Sequence, residues 1–247
     1  MKQARSYSDP AGMCRVPTHI RHVRVEDRVI IMDIRSESYF ALDPTASHMW
    51  DELALGNGRD ETLRSLEEKF SSDPSELAAD FDEFVEKCIA RGLLSRELEQ
   101  SLEVPGAVPL TGRARGLFTL RAWWSLLETK LSLSRRGFSG TYNAALAMAC
   151  PEGVARDDTA MELLSRALKA FARAENFFYL KRAPLDCLPR SLALFRFLRS
   201  VGLPAQHCIG VRPFPFSAHA WTECYGRVVH DDESNRGRFT VIARIGS

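Results

Sequence analysis

The stretch 186–232, DCLPRSLALFRFLRSVGLPAQHCIGVRPFPFSAHAWTECYGRVVHDD, sets the fold of the C-terminal half of the chain. It predicts a helix that begins at Cys187, because Asp186 can cap it and Pro189 is tolerated only in a first turn. This helix is apolar on most sides, which indicates burial, and Gly202 ends it. A thiol at a helix start lies at the positive end of the backbone dipole, which favours the thiolate. Its position therefore makes Cys187 a candidate nucleophile.

Three strands are predicted after that helix. Residues 205–212 and 217–225 carry β-branched and aromatic residues, and Gly226 marks a turn into a third strand over 227–231. His219 lies on the second of these strands. We therefore expect a hairpin in which the third strand brings a residue opposite the imidazole.

The length of the hairpin loop determines which carboxylate faces His219. A three-residue loop over 224–226, with glycine at its left-handed third position, places Asp231 opposite His219. A two-residue loop over 225–226 places Asp232 there instead. The expected acid is Asp231, and Asp232 is the alternative in the other register.

Cysteine, histidine and acid in this chain order can form a thiol-protease site. His219 takes the thiol proton of Cys187, and Asp231 fixes the imidazole tautomer and supports the imidazolium. The backbone N–H of Cys187 is the first expected oxyanion donor, and the sequence does not identify a second. The other cysteines are interpreted as core residues and the other histidines as surface or cap residues: Cys88, Cys150, Cys208 and Cys224; His22, His48, His207 and His230.

The composition is that of an ordinary folded protein. The 247 residues are 45% hydrophobic and 26% charged, which suits one large or two small domains. The six cysteines form no CxxC pair, which favours neither a disulfide framework nor a zinc site, so we expect no metal. No apolar run is long enough for a membrane span or a signal-peptide core. We therefore expect a cytoplasmic protein without a membrane partner.

The segment 15–98 predicts a small domain in which three strands precede three helices. The strands are expected at 20–25, 28–34 and 37–42, and the helices at 45–53, 60–70 and 74–91. The last helix has an apolar stripe at helical spacing, formed by Leu77, Phe81, Phe84, Val85, Cys88 and Ile89. A linker at 99–112 follows, and two amphipathic helices, 113–133 and 159–180, open the C-terminal domain 113–247.

The two halves of the chain differ in charge. Residues 15–98 hold 11 Lys and Arg against 18 Asp and Glu, a balance of −7, whereas residues 99–247 hold 20 against 13, a balance of +7. A winged helix that reads DNA needs clustered Lys and Arg to neutralise phosphates. The negative balance argues against a DNA-binding regulator, so we expect no nucleic-acid partner.

The C-terminal part, residues 113–245, resembles the transglutaminase-like cysteine peptidases and, more narrowly, the B proteins of lasso-peptide biosynthesis. The N-terminal unit is similar to the winged-helix precursor-recognition element of ribosomal-peptide modification systems, here in fused form. The expected fold class is therefore α+β, with a winged-helix-like domain before a transglutaminase-like, papain-like peptidase domain. The broader resemblance rests on Cys187, GLPA (202–205), HAWTE (219–223) and Asp231, and the narrower one to the B proteins rests on DCLPRS (186–191), IGVR (209–212) and His-Ala-Trp (219–221).

The resemblance implies a leader peptidase, which cleaves the leader from a ribosomally made precursor and passes the core to an asparagine-synthetase-like cyclase. The ATP that this family commonly needs is assigned to the cyclase, because the chain has no G-x-x-x-x-G-K-[ST] loop, and we expect no cofactor on this chain. The leader is expected to add a strand to the edge at 36–42. A transglutaminase-type acyl transferase and a non-catalytic scaffold for the cyclase are the alternatives. The expected leader contacts are Tyr39, Phe40, Leu77, Phe81, Phe84 and Cys88.

Overall fold

Helices and sheets both contribute to this protein, which confirms the expected α+β class. The chain divides into two compact units, Met1–Leu102 and Glu103–Ser247. The predicted linker at 99–112, the expected capping residue Asp186 and Cys150 lie outside the described residues, so the predictions for them stay untested. The computed structural model describes residues 14–70, 73–96, 118–148, 156–178 and 187–246.

The first unit has the predicted order of three strands and three helices. Among the described strands, β2 is central and β1 and β3 are the edges of one antiparallel sheet. The side chains of Asp43 and Asp73 accept backbone N–H groups at the starts of α1 and α3, which stabilises both helix ends. The elements are β1 (Ile20–Val25), β2 (Arg28–Asp33), β3 (Ser38–Ala41), α1 (Pro44–Leu55), α2 (Arg59–Lys69) and α3 (Pro74–Ala90).

The apolar stripe of α3 packs into the core of this unit. Leu77, Phe81 and Cys88 are at most 3% exposed, and they share one cluster with Ile31 of β2. The prediction that these three side chains contact a leader peptide needs correction, because residues of the unit itself cover them. Phe84 is only partly buried against the same cluster and stays a candidate contact.

The second unit contains four helices and four strands among its described residues. None of the helices among the described residues of the chain is both long enough and apolar enough to cross a membrane. The elements are α4 (Phe118–Leu146), α5 (Asp158–Phe178), α6 (Cys187–Ser200), β4 (Ala205–Arg212), β5 (Ser217–Cys224), β6 (Arg227–Val229), α7 (Asn235–Arg238) and β7 (Thr240–Ile245).

Helix α6 is the central helix of the second unit. It contacts α4 and α5 as well as β4 and β5, so protein surrounds it, and Phe195, Phe197 and Leu198 are fully buried. The sheet is antiparallel with the strand order β6-β5-β4-β7. The predicted burial of this helix is confirmed, and the helix start that carries Cys187 is packed against the hairpin that carries His219.

Some elements of the second unit were not predicted. Strand β7 pairs with β4. These strands are far apart in the sequence, so no local sequence pattern predicts their pairing. Helix α4 extends beyond the predicted end at 133 to Leu146, with a bend at Gly137, whose φ of 65° is non-helical. Helix α7 is a short turn before β7. These elements complete the sheet and the helical layer around α6.

We predict that Phe81→Ala destabilises the first unit by about 3–5 kcal/mol, because it leaves a cavity among fully buried side chains. Phe84→Ala removes the same atoms from a partly exposed position and is expected to cost less than half as much. Native-state hydrogen exchange of the α3 amides in the full chain measures both values. Equal losses in the two variants would contradict the placement of Phe81 in the core.

Candidate active site

Cys187 and His219 are brought together by the packing of α6 on β5. Cys187 is the first residue of α6 and is half-buried. Its side chain lies within hydrogen-bonding reach of the side chain of His219, which lies near the start of β5. The structure therefore brings together the thiol and the imidazole that the sequence predicted.

Asp231 completes the chain of three side chains. Its Oδ2 lies 2.9 Å from Nε2 of His219. Because the carboxylate takes Nε2, the other ring nitrogen, Nδ1, is the one available to the thiol of Cys187. The Oδ1 atom of Asp231 accepts the backbone N–H of Asp232 at 2.7 Å and the side-chain N–H of Asn235 at 3.1 Å, which holds the carboxylate in place.

The loop of this hairpin differs from the favoured prediction. Cys224 pairs with Arg227, which leaves a two-residue loop at Tyr225 and Gly226. Both loop residues have positive φ, as a tight hairpin turn requires. The prediction of a three-residue loop is therefore wrong, and the two-residue alternative is correct.

Asp231 nevertheless faces His219, because the strand pairing stops early. Strand β6 ends at Val229, and His230 has a φ of 60°, which turns the chain out of the ladder. This turn brings Asp231 to the imidazole. Asp232 would lie opposite if the pairing continued, but its carboxylate accepts the backbone N–H of Ser234 at 2.9 Å instead.

The surroundings of the thiol and the imidazole shift both pKa values toward the ion pair. Burial raises the pKa of the Cys187 thiol, but hydrogen bonds from His219 and from the backbone of Ala220 outweigh it, so this pKa lies below its ordinary value. The hydrogen bond to Cys187 raises the pKa of His219 against the effect of burial, and Asp231 adds to the increase. The arrangement therefore favours a thiolate beside an imidazolium.

Three other described cysteines have the opposite character. Cys88, Cys208 and Cys224 are buried and free, which confirms their interpretation as core residues. Burial raises the pKa of each of these thiols to about 12. Within the described ranges, no group of three or more His, Cys, Asp and Glu side chains converges as metal ligands would.

Two aromatic side chains hold the imidazole of His219. Its ring stacks on Trp221 at 6.2 Å between centroids and lies 5.5 Å from Phe239. Gly210 pairs with His219 across the β4–β5 ladder. A Cβ at Gly210 would lie 2.7 Å from the Trp221 ring and 2.8 Å from Phe239, closer than packing allows. The glycine of the IGVR motif therefore leaves the space that these two rings occupy.

A buried carboxylate orients Trp221 in turn. Glu223 is 1% exposed, and it accepts the indole Nε1–H of Trp221 at 3.0 Å. Its other oxygen lies 3.3 Å from the guanidinium of Arg244, so the buried charge is paired. His219, Trp221 and Glu223 share one face of β5. Glu223 orients Trp221, and Trp221 packs against the ring of His219.

His207 is not the surface or cap residue that was expected, since it is fully buried. Burial lowers its pKa to about 3, so the ring is neutral. Its Nε2 lies 3.0 Å from Oγ of Ser191, and that hydroxyl also lies 2.7 Å from the backbone carbonyl of Cys187. A neutral His207 that donates from Nε2 lets Ser191 donate to this carbonyl. The pair therefore anchors the first turn of α6 to β4.

The sequence did not predict a network of charged side chains that lies beside the site. Glu175 of α5 accepts from Arg190 at 2.6 Å and lies 2.7 Å from Nε2 of His230. Arg190 and His230 line a small cavity beside Cys187. No local pattern joins these three residues, although Arg190 lies one helical turn after Cys187. His230 is half-buried in this network, so its interpretation as a simple surface residue was incomplete.

The accessible residues among the predicted leader contacts lie on β3 and α3 of the first unit. Tyr39 and Phe40 on β3 are partly buried, as is Phe84 on α3. The guanidinium of Arg91, at the end of α3, lies 5.6 Å from the centre of the Phe40 ring. We call Phe40, Phe84 and Arg91 the β3–α3 surface.

Comparison with known proteins agrees with this two-part organisation. Residues 125–244 match the family described as Transglutaminase-like superfamily, and residues 28–94 match Coenzyme PQQ synthesis protein D (PqqD). The Microcin J25-processing protein McjB of Escherichia coli is 39% identical over 77 residues. The first of these matches lies in the second unit of the chain, and the PqqD match lies in the first unit.

The similarity to individual proteins is partial. The match to McjB covers 31% of this chain and 37% of McjB, so it spans little more than a third of the relative. The structure of TbiB1 in complex with the TbiA(beta) leader peptide is similar at a TM-score of 0.33 and 20% identity, over 34% of this chain and 99% of that chain.

We predict that iodoacetamide alkylates Cys187 at pH values below the ordinary thiol pKa of 9.0, because His219 lowers this pKa. The His219→Ala variant removes that hydrogen bond and leaves the effect of burial, so its alkylation should begin at higher pH. Mass spectrometry of the modified peptides across a pH series measures both profiles. The buried Cys224 serves as an internal control and should stay unmodified in the folded protein. Identical profiles in the two proteins would contradict the coupling.

Proposed function

We propose that the protein is a B protein of lasso-peptide biosynthesis, which cleaves the leader from the core of a ribosomally made precursor peptide. In this proposal Cys187 is the nucleophile, His219 is the acid–base and Asp231 orients the imidazole. The main support is the continuous contact from thiol to imidazole to carboxylate, with pKa shifts that favour a thiolate. Similarity to a microcin-processing protein agrees with a proteolytic role.

The first half of the reaction forms a thioester. The Cys187 thiolate attacks the carbonyl carbon of the scissile peptide bond, and the backbone N–H of Cys187 donates to the oxyanion. His219, held as the imidazolium by Asp231, gives its proton to the nitrogen of the departing core. The C–N bond breaks, and the core leaves with a free amine. The leader remains attached to the sulfur.

The second half is hydrolysis. The neutral His219 takes a proton from water, whose oxygen attacks the thioester carbonyl carbon. The C–S bond breaks, the leader leaves with a free carboxylate, and the thiolate–imidazolium pair is restored. We further propose that the core amine passes to an asparagine-synthetase-like cyclase. Any need for ATP is assigned to that cyclase, and we propose no cofactor for this chain.

The first unit is proposed to bind the leader as an added strand at β3. The backbone N–H of Leu42 donates to β2, at the carbonyl of Val29. Because directions alternate along a strand, the N–H and C=O of Ala41 point to the opposite edge, where a peptide can pair. The β3–α3 surface, with Phe40 and Phe84, then receives the leader side chains. PqqD similarity of residues 28–94 supports this assignment.

Leader binding of this kind compensates for weak binding of the peptide at the catalytic site. A short ordered segment can reach micromolar to nanomolar affinity, about −8 to −12 kcal/mol. Because the leader and the scissile bond belong to one chain, binding to the first unit raises the local concentration of the bond near Cys187. The catalytic unit therefore needs little affinity of its own.

We predict that Cys187→Ala abolishes cleavage of the precursor and that His219→Ala slows it by about 10²–10⁴-fold, the usual contribution of a general acid–base. Asp231→Ala should retain more activity than His219→Ala, because it affects the reaction only through the imidazole. Asp232→Ala is the matched control and should keep nearly full activity, since that carboxylate bonds to Ser234 instead. Mass spectrometry of the products measures all four variants.

The same products separate the alternative functions. Hydrolysis leaves a free carboxylate on the leader, acyl transfer leaves an amide, and a scaffold leaves the precursor whole. Cleavage by purified Cys187→Ala would defeat the nucleophile assignment.

We also predict that Phe84→Asp weakens leader binding by at least tenfold, because it places a charge on the β3–α3 surface. Ala79→Asp is the matched control, since Ala79 is exposed on the same helix. Fluorescence polarisation with a labelled leader peptide measures both affinities, and the Cys187 alkylation rate should be unchanged in both variants. An unaltered affinity in Phe84→Asp would refute the proposed placement of the leader.

A further inference from the structure

A guanidinium lies on the same sheet face as His219. The β4–β5 register pairs Gly210 with His219 and Arg212 with Ser217. Paired residues of an antiparallel ladder project to the same face, and residues two apart on a strand do so as well. Arg212 therefore stands on the His219 face, one diagonal step from the imidazole.

The same aromatic ring touches both side chains. The guanidinium carbon of Arg212 lies 5.9 Å from the centre of the Phe239 ring, and the imidazole of His219 lies 5.5 Å from it. Phe239 thus places a permanent positive charge beside the group that takes part in the reaction. At this distance the guanidinium and the ring interact as a cation–π pair.

Arg212 has no anionic partner among the residues that the structure describes. Its Nε is buried and makes no hydrogen bond there, and it forms no ion pair. The nearest acidic residues of the hairpin are already engaged: Asp231 with His219 and Asp232 with Ser234. Arg212 thus places a cation on the His219 face whose side-chain N–H groups have no acceptor among the described residues.

The surroundings of Arg212 suit a peptide better than a small free anion. The turn that follows it, residues 213–216, carries Phe214 and Phe216, which are 66% and 49% exposed. Exposed aromatic side chains next to a charged group offer apolar contact to the neighbours of a bound acidic residue. A carboxylate matches the planar guanidinium with two parallel hydrogen bonds.

We propose that Arg212 is a substrate-binding residue that holds an Asp or Glu side chain of the peptide bound at Cys187. This inference rests on the proposed function and adds a preference for an acidic residue near the scissile bond. The carboxylate accepts from the guanidinium of Arg212, and flanking apolar side chains contact the turn 213–216. Arg212 acts on binding of the peptide and leaves the thiol and the imidazole unchanged.

The test uses the full chain with Cys187→Ala, which binds peptide without turnover, labelled with ¹⁵N. The Nε–H signal of Arg212 is assigned by its absence in the additional variant Arg212→Lys. The probes are acetyl-Phe-Ala-Glu-Ala-Phe-amide, the same peptide with Gln in place of Glu, and sodium acetate. We expect the Glu peptide to shift the Arg212 signal with an affinity at least about tenfold higher than the Gln peptide, as a charge-assisted pair requires.

Arg227, an exposed arginine on β6 of the same sheet, is the matched control, and its signal should not move with either peptide. Equal affinities for the Glu and Gln peptides, or an Arg212 signal that no peptide moves, would overturn the proposal. Acetate that binds Arg212 as tightly as the Glu peptide would also overturn it, because the site would then be one for free anions.

A second measurement uses the active chain and precursor peptides in which acidic residues near the scissile bond are changed to amides. The change should raise KM and leave kcat the same, and Arg212→Gln should remove this difference. Absence of any cleavage by the active chain would contradict the proposed function, whereas the binding experiment reports on Arg212 independently of cleavage. A KM difference that persists in Arg212→Gln would overturn the role of Arg212.

Discussion

The contact between α6 and the β4–β5 hairpin is the constraint on which the site depends. Two buried hydrogen bonds tie the helix to the sheet: Thr222 donates to the carbonyl of Ser191, and the Ser191 hydroxyl meets His207. Both partners are shielded from water, so either bond is costly to lose without replacement. They fix the position of Cys187 relative to the strand that carries His219. A thiol and an imidazole on separate elements can share a proton only if those elements do not slide.

The imidazole itself is positioned by packing more than by hydrogen bonds. Trp221 and Phe239 lie against the ring of His219, and the missing side chain of Gly210 gives them room. Glu223 then accepts the indole N–H of Trp221, which holds this ring in place. Packing of this kind keeps an acid–base group in one rotamer. In the HAWTE motif, His219, Trp221 and Glu223 therefore lie on one face of the strand. Glu223 orients Trp221, and Trp221 packs against His219.

In the proposed function, the two units divide recognition from chemistry. In the first unit the apolar stripe of α3 mostly builds the core, and only its margin, with Phe84, remains available next to Phe40 of β3. A small domain needs most of its apolar residues to be stable, so a binding surface must use the partly buried ones at the edge. The second unit supplies the thiolate. Arg212 would give it a modest preference of its own.

The sequence alone determined most of the elements and the candidate residues of the site. The helix start at Cys187 and the strand with His219 follow from short-range rules of capping, periodicity and alternation, which act within a few residues. Only the tertiary structure decided what depends on distant contacts. The addition of β7 to β4, the burial of His207 and the Glu175–Arg190–His230 network join residues far apart in the chain. The hairpin shows both contributions. Its residues indicated a turn at Gly226. The tertiary structure placed Asp231 at the imidazole, because β6 ends early and the left-handed residue His230 redirects the backbone after the pairing stops.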